Sequence, residues 1–305
     1  MGSGRYESWF VSARDPAAAR ALWIRHTRHV PRAGPESAAL WCTLVDPGLS
    51  ERPVIVKQVS GTLPADAVAG PEQFLGSATM AGRAVGWDLR ISGGQPELLP
   101  LRPRALYRSP LPRTKLAASV PDCLVNGTIE VDARPFAVSG WRGTVGHNWG
   151  SEHADRWVWL HGADFGGAPD CWLELVLARI RIGPARSPWT AMGAISLGGE
   201  RIPLGGLGRR PRVDGQQDRL TASITSPGGR LRVRVTTAEQ DAVAVAYQDP
   251  SGGSRAVRHA AIAAVELALV RKDGRELALS TSRGAYEFGT SQGLGAVALE
   301  PLPEG

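Results

Sequence analysis

The chain has 305 residues, of which 43% are hydrophobic and 21% are charged, a balance typical of a soluble globular protein with one large domain or two smaller ones. The formal net charge of +6 comes almost entirely from arginine, because lysine occurs only at Lys57, Lys115 and Lys272. The basic residues are spread along the chain and form no long run, which argues against a nucleic-acid partner.

The cysteines and the first residues indicate a reducing compartment. Cys42, Cys123 and Cys171 are far apart and form no C-x-x-C pair, so we expect buried apolar side chains rather than a disulfide framework or a zinc site. No run of about 18 apolar residues occurs, and residues 1–10 lack the apolar core of a signal peptide. We therefore expect a cytoplasmic protein with no membrane-spanning segment; its oligomeric state has no signal in the sequence.

Glycine and proline divide the chain into short segments. The 37 glycines and 23 prolines separate segments in which polar and apolar side chains alternate, a pattern typical of an all-β sandwich or barrel. Residues 40–45 and 53–59 predict a hairpin around Asp46-Pro47-Gly48. Beyond residue 183 the predicted strands are simple two-face repeats with few aromatic residues, so we expect a scaffold or a lid there.

Residues 157–165 are the strongest predicted strand. Alternation along a strand places these side chains on one face: Trp157, Trp159, His161, Ala163 and Phe165. Glycines at positions 166 and 167 then predict a hairpin with residues 171–182.

The stretch at residues 140–164 is the best candidate for a chemical site. It holds three of the six histidines, His147, His153 and His161, and four of the ten tryptophans, Trp141, Trp149, Trp157 and Trp159. Glu152 and Asp155 flank His153, so acids and a base stand beside aromatic surface. We expect any reaction to take place here.

Two motifs and a metal site are excluded by their context. Residues 289–293 spell G-x-S-x-G, but no histidine follows His259, so a serine hydrolase is excluded. Residues 293–298 resemble a dinucleotide fingerprint with no room for a βαβ unit, and we expect both sets of glycines in turns. The spacings of the histidine cluster with Glu152 fit no known ligand set, so we expect no metal.

Residues 146–157 and 159–162, GHNWGSEHADRW and WLHG, resemble the signature of the AttH/carotenoid 1,2-hydratase-like superfamily. That group includes hydroxyneurosporene synthase and, more distantly, the fungal lipocalin-like Diels–Alderases. Further matches in the same order are ESWF at 7–10, ALWIR at 21–25, PRTK at 112–115 and GAYE at 284–287.

The resemblance implies an all-β fold of two lipocalin-like antiparallel β-barrel or sandwich domains with a shared interface. We place them at residues 1–165 and 166–305. It also implies a small hydrophobic ligand, since characterised relatives hydrate an isolated carotenoid double bond or fold a polyene for cycloaddition. For this chain we expect cyclisation, isomerisation or hydration of a terpenoid, polyene or polyketide-type molecule in a barrel cavity, without a cofactor.

The residue roles follow from this chemistry. Glu152 or Asp155 beside His153 would protonate an alkene, and His153, Arg156 or Asn148 would polarise a carbonyl. The expected catalytic set is therefore Glu152, His153, Asp155 and Arg156. Tryptophan faces would stabilise a cation by ~0.5–2 kcal/mol each. The expected substrate-binding set is Trp23, Trp41, His147, Asn148, Trp149, Trp157, Trp159, His161 and Trp172.

Simpler interpretations of the same residues remain open. Glu152 and Arg156 could form an ordinary ion pair, the tryptophans could be core, and His161 could be a hydrogen-bonded core residue. Glu7 and Arg25 are either an interdomain salt bridge or a polar cavity contact. The protein itself could bind a hydrophobic metabolite without catalysis, or be a structural protein whose barrel is filled by side chains.

Overall fold

The computed structural model describes residues 4–206 and 208–304, and within them nearly all regular structure is antiparallel strand. The exceptions are two short 3₁₀ turns, Arg104–Tyr107 and Glu239–Asp241. The all-β prediction is confirmed. Among the described residues no helix is long and apolar enough to cross a membrane.

The first half of the chain forms one sheet, in the order β4-β3-β2-β1-β9-β8-β7-β6-β5. Its strands are β1 (Arg5–Arg14), β2 (Ala21–Val30), β3 (Ser37–Val45), β4 (Val54–Ser60), β5 (Val68–Ala69), β6 (Gln73–Met80), β7 (Arg83–Ser92), β8 (Thr114–Val131) and β9 (Arg134–Gly150). The sheet curls until its ends meet. The side chain of Gln58 in β4 accepts a hydrogen bond of 2.8 Å from the backbone N–H of Thr79 in β6.

The second half forms a second curled sheet, in the order β15-β14-β11-β10-β21-β20-β18-β17-β16, with β19 also paired to β20. Its strands are β10 (Arg156–Phe165), β11 (Ala168–Arg179), β14 (Thr190–Leu197), β15 (Glu200–Gly205), β16 (Arg212–Gly215), β17 (Arg219–Ser226), β18 (Gly229–Thr237), β19 (Ala242–Gln248), β20 (Ser254–Arg271) and β21 (Glu276–Thr290). Between β11 and β14, β12 (Arg181–Ile182) and β13 (Ala185–Arg186) form a separate ribbon.

The backbone pairing of β10 lies in the second sheet, with β11 on one side and β21 on the other. The strands therefore change sheet between Gly150 and Arg156. The division into domains at residue 165 stays a prediction.

Both predicted hairpins are confirmed, β3 with β4 and β10 with β11. One side chain departs from the predicted alternation in β10. Phe165 packs with Val158 and Leu160 instead of sharing the face of Trp157. The cause is local, since the register with β11 shifts between Ala163 and Phe165, and the intervening Asp164 has φ of +54°.

Each curled sheet is filled by its own side chains. Large apolar residues such as Phe74, Trp87 and Trp141 occupy the interior of the first sheet. Leucines, valines and Tyr286 occupy the interior of the second. Because side chains alternate along a strand, the opposite faces of β1, β2, β10 and β11 are left over. Those outer faces pack against each other and form a third apolar cluster that contains residues of both sheets.

Two glycines let aromatic rings lie flat in this interface. Gly146 is the register partner of Phe10, and Gly289 is the register partner of Trp157. A Cβ atom at Gly289 would lie 2.1 Å from Cζ2 of Trp157, closer than any real contact. The expectation that Gly289 is a turn glycine is wrong, because it lies within β21 beneath an indole ring.

Replacing Gly289 by alanine should therefore displace Trp157 and lower the free energy of unfolding by about 1–3 kcal/mol, the usual cost of overpacking. Urea unfolding followed by tryptophan fluorescence measures the change. Gly86→Ala is the matched control, because a Cβ at this strand position would meet nothing within 4 Å. Equal stability of the two variants would contradict the proposed packing.

Candidate functional site

A cavity of about 100 Å³ lies between the two sheets, not inside either of them. The resemblance implies a ligand within a barrel, whereas apolar side chains cluster in the interior of each sheet. The wall is mostly apolar, with these aromatic and aliphatic residues among its members: Phe10, Trp23, Leu116, Trp157, Trp159, Val176 and Met192. The polar members include Tyr6, Arg25, Thr114, Asn148, His153, Tyr247 and Glu287. Few polar groups converging in an apolar cavity are typical of a small-molecule site.

His153 and Asp249 form a hydrogen-bonded pair at the cavity wall. Nδ1 of His153 lies 2.7 Å from Oδ1 of Asp249, which also accepts the backbone N–H of His153 at 2.8 Å. A carboxylate only accepts, so Nδ1 carries the proton and Nε2 keeps its lone pair. Tyr6 stacks on the imidazole with ring centroids 4.0 Å apart. The pair therefore holds a neutral histidine in one tautomer and one orientation.

The charges around this pair favour the same state. Burial lowers the pKa of His153 below its ordinary value, although Asp249 acts in the opposite direction. Burial raises the pKa of Asp249, but the hydrogen bonds from His153 and the charge of Arg255 outweigh it and hold that pKa low. Nη1 of Arg255 lies 2.6 Å from Oδ2 of Asp249. At neutral pH the site therefore presents an imidazole base backed by an ionised carboxylate.

Glu287 is a second buried acid in the wall. Its Oε1 accepts the indole N–H of Trp157 at 2.8 Å, and its Oε2 accepts the hydroxyl of Tyr247 at 2.8 Å. Nδ1 of His259 lies 3.5 Å from Oε2, and the His259 ring stacks on Trp23. Burial raises the pKa of Glu287, but these neighbours outweigh it and leave the pKa below its ordinary value. Glu287 thus fixes the orientation of two wall residues.

Of the expected catalytic set, only His153 lines the cavity. Glu152 pairs outside it with Arg113 at 2.5 Å and with Arg255 at 3.5 Å. Asp155 pairs with Arg186 at 2.7 Å and accepts the hydroxyl of Ser291.

Arg156 faces the interior of the second sheet. It donates to the carbonyl of Gly215 at 2.6 Å, and its guanidinium lies 4.8 Å from the ring centroid of Phe288. The ion pair considered between Glu152 and Arg156 does not form, because these groups have other partners.

The expected substrate-binding residues divide in the same way. Those that line the cavity are Trp23, Asn148, Trp157 and Trp159. Those that lie outside it are Trp41, His147, Trp149, His161 and Trp172. His147 stacks between Trp9 and Trp149 and bonds Glu7 at 3.1 Å. Trp41 lies beside Arg25, and Trp172 packs with Leu98 in a separate small cluster.

His161 is a hydrogen-bonded core residue. Its Nε2 donates to the carbonyl of Pro121, and its Nδ1 lies 3.2 Å from Nη1 of Arg14. The Nε of Arg14 donates to the carbonyl of Ala261. The simpler of the two interpretations therefore holds for this residue. Arg14 thereby ties β1 to β10 and β20 across the interface.

Several wall residues lie far in sequence from the central stretch. The main ones are Tyr6, Arg25, Tyr247 and Glu287, and Asp249, which bonds His153 from behind the wall, is equally distant. Arg25 and Glu287 stand in matched family segments, which was the only signal for either. Arg25 and Glu7 are not paired with each other, so Arg25 is the cavity contact. Among the described residues, no group of three or more potential ligands is arranged to hold a metal ion.

The chain is similar to curated proteins of unknown activity. No protein-family model matches it. It is 28% identical over 263 residues to the uncharacterized proteins Rv0493c and MT0513 of two Mycobacterium tuberculosis strains, a match that covers 82% of this chain and 77% of each relative.

Three solved structures share the fold. A candidate AttH (NE1406) from Nitrosomonas europaea has a TM-score of 0.53 at 14% identity and covers 94% of this chain and 92% of its own. CghA in complex with Sch210972 has a TM-score of 0.60 at 11% identity, with coverage of 95% and 88%. Kievitone hydratase from Nectria haematococca has a TM-score of 0.51 at 10% identity, with coverage of 95% and 89%. These structures confirm the lipocalin-like all-β fold that the resemblance implies.

Glu174 is a buried acid in the interface beside the cavity. It is fully buried, with one oxygen 2.5 Å from the indole nitrogen of Trp159 and the other without a partner. Burial raises its pKa to about 8, although Trp159 and Arg14 act in the opposite direction. The folded protein thus holds this proton between the ordinary pKa of 4.5 and about 8, whereas the unfolded chain loses it. Stability must fall as pH rises through that window.

The variant Glu174→Gln should remove this pH dependence. The difference in free energy of unfolding, variant minus parent, should increase as the pH rises from about 5 to 8, by up to a few kcal/mol. Urea unfolding at several pH values measures the difference. Glu266→Gln is the control, because Glu266 is 63% exposed. A constant difference across the window would contradict a protonated Glu174.

The tautomer of His153 can be observed directly. Long-range nitrogen–proton spectra of labelled protein at about pH 7 should identify a neutral ring with its proton on Nδ1, because Asp249 accepts there. The variant His153→Gln assigns the signals. Asp249→Asn should weaken the preference for this tautomer. A proton on Nε2 in the parent protein would contradict the arrangement.

Proposed function

We propose that the protein is an acid–base enzyme that cyclises, isomerises or hydrates an apolar unsaturated molecule bound between the two sheets. The observation that carries the proposal is the His153–Asp249 pair in the wall of a largely apolar cavity. Kievitone hydratase, which shares the fold, is by its name a hydratase, and CghA was solved with a small molecule. Terpenoids, polyenes and polyketide-type compounds match the wall in chemistry.

His153 is the proposed proton carrier. Its Nε2 accepts a proton from the ligand or from water, and Asp249 stabilises the imidazolium that forms. The imidazolium then returns the proton to a different atom, which moves a double bond or completes the addition of water. Proton transfer of this kind contributes about 10²–10⁴ in rate. The residues named supply this chemistry themselves, so the proposal includes no cofactor.

The aromatic wall holds the unsaturated part of the ligand. Trp157 and Trp159 present their rings to the cavity while their N–H groups bond Glu287 and Glu174 behind them. Such anchoring keeps the π faces turned inward, where they pack against the apolar chain of the ligand. Asn148 adds a neutral donor for a ligand oxygen.

Solvent deuterium exchange tests the proposal without knowledge of the product. Farnesol, retinal and squalene are incubated with the protein in deuterated buffer, and mass spectrometry measures deuterium on carbon and any new product. Binding is measured separately by quenching of tryptophan fluorescence. We expect at least one compound that binds to gain deuterium or to be converted.

The variants separate catalysis from binding. His153→Gln should lower the rate of exchange or conversion at least 100-fold and leave binding within about twofold. His147→Gln is the matched control and should keep the rate, since His147 lies outside the cavity between two tryptophans. Binding without exchange in the parent protein would instead identify a carrier of hydrophobic metabolites, and full activity of His153→Gln would remove His153 from the mechanism.

A further inference from the structure

Arg25 is a buried cation with spare hydrogen-bonding capacity at the cavity. It is 6% exposed and lines the wall. Its Nε and Nη2 both donate to the hydroxyl of Ser8, at 3.2 and 3.0 Å, while Nη1 has no hydrogen-bond partner. Within residues 4–206 and 208–304, no carboxylate oxygen lies within 4.0 Å of its guanidinium. An uncompensated buried charge of this kind is costly and calls for an explanation.

The other buried arginines of the interface and of the second sheet are fully engaged. Arg14 contacts Ser12, His161 and the carbonyl of Ala261. Arg258 donates to backbone carbonyls, to Thr237 and to the carboxylate of Glu239. Arg25 therefore differs from these two buried arginines in its unpartnered Nη1.

Aromatic rings hold Arg25 in place without neutralising it. Its guanidinium carbon lies 5.1 Å from the ring centroids of Trp23 and Trp41 and 4.1 Å from that of Tyr247. Cation–π contacts orient the fork but leave its N–H groups free to donate. Glu287, the buried acid nearest in the network, already accepts from Tyr247 and Trp157.

The positive charge of Arg25 is felt by its neighbours. Burial and then the charge of Arg25 lower the pKa of Lys57 to about 8. The same charge acts to lower the pKa of His153, which burial lowers most, and that of Glu287, which burial alone would raise. An anion placed beside Arg25 would therefore enter a region of positive potential with an open donor.

A second, apolar cavity of about 250 Å³ continues from the first. The two share five wall residues, Leu101, Pro112, Ala178, Ile180 and Met192. The outer cavity leads past Leu111 and Ile182, which are 40% and 51% exposed. A polar head at Arg25 would thus have an apolar path behind it that reaches the surface.

We propose that the ligand is an amphipathic carboxylic acid, whose carboxylate binds Arg25 and whose unsaturated chain passes Met192 into the outer cavity. This inference rests on the proposed function, because it assigns the substrate class of the same site. A guanidinium with an open N–H matches the planar, paired oxygens of a carboxylate. The reacting part of the chain would then lie along Trp157 and Trp159 near His153, between head and exit.

The test compares cis-parinaric acid, a conjugated polyene acid that fluoresces on binding, with its methyl ester. The two differ in the head group alone. At about pH 7.5 the parent protein should bind the acid at least tenfold more tightly than the ester. Arg25→Gln should abolish this preference, because the variant binds the acid no more tightly than the ester. Arg28→Gln, on the same strand with its side chain 44% exposed, should keep the preference.

Equal affinity of the parent protein for acid and ester would overturn the proposal, as would a preserved preference in Arg25→Gln. The comparison in the parent protein decides the matter even if Arg25→Gln does not fold. Met192→Trp should weaken both probes equally, at least fivefold, and unchanged affinity would exclude the path past Met192. Deuterium exchange does not enter these measurements, so their failure leaves the role of His153 standing, and loss of exchange leaves the head-group preference standing.

Discussion

The two curled sheets bury their outer faces against each other, and the rest of the structure follows from this contact. Each sheet packs apolar side chains into its own interior, and a cavity remains where the outer faces do not close against each other. Those faces carry charged groups, and burying a charge costs several kcal/mol unless partners are found. Arg14 finds them across the interface, at His161 and the carbonyl of Ala261. Arg25 does not meet the same requirement, because its Nη1 has no hydrogen-bond partner, and this open donor indicates where an anionic group of a ligand would bind.

The sequence was sufficient for the parts of the fold that depend on local pattern. Alternation of side chains and the placement of glycine predict the all-β class and both hairpins, because strand period and turn chemistry are properties of adjacent residues. The same pattern places Trp157 and Trp159 on one face, and the structure puts that face in the cavity wall. His153 was found by the density of chemical groups and Asn148 through the chemistry that the resemblance implies, and both line the cavity.

The rest of the site depends on pairing between distant strands. Tyr247 and Glu287 reach the cavity because β19 and β21 both pair with β20, and Asp249 follows β19 directly. No local pattern specifies that. Alternation could have excluded Arg156, which has the parity opposite to Trp157 and faces the second sheet's interior. Whether a curled sheet is hollow or filled is also invisible to alternation, because both give the same apolar period.

The location of the ligand between the sheets is the central claim, and an anomalous-scattering map tests it most directly. Crystals of the protein are soaked with an unsaturated fatty acid brominated near its methyl end, and the bromine is located. We expect a bromine peak between the sheets, along the path from Trp157 past Met192 toward Ile182. A peak inside either curled sheet, among the residues around Trp141 or Tyr286, would contradict it.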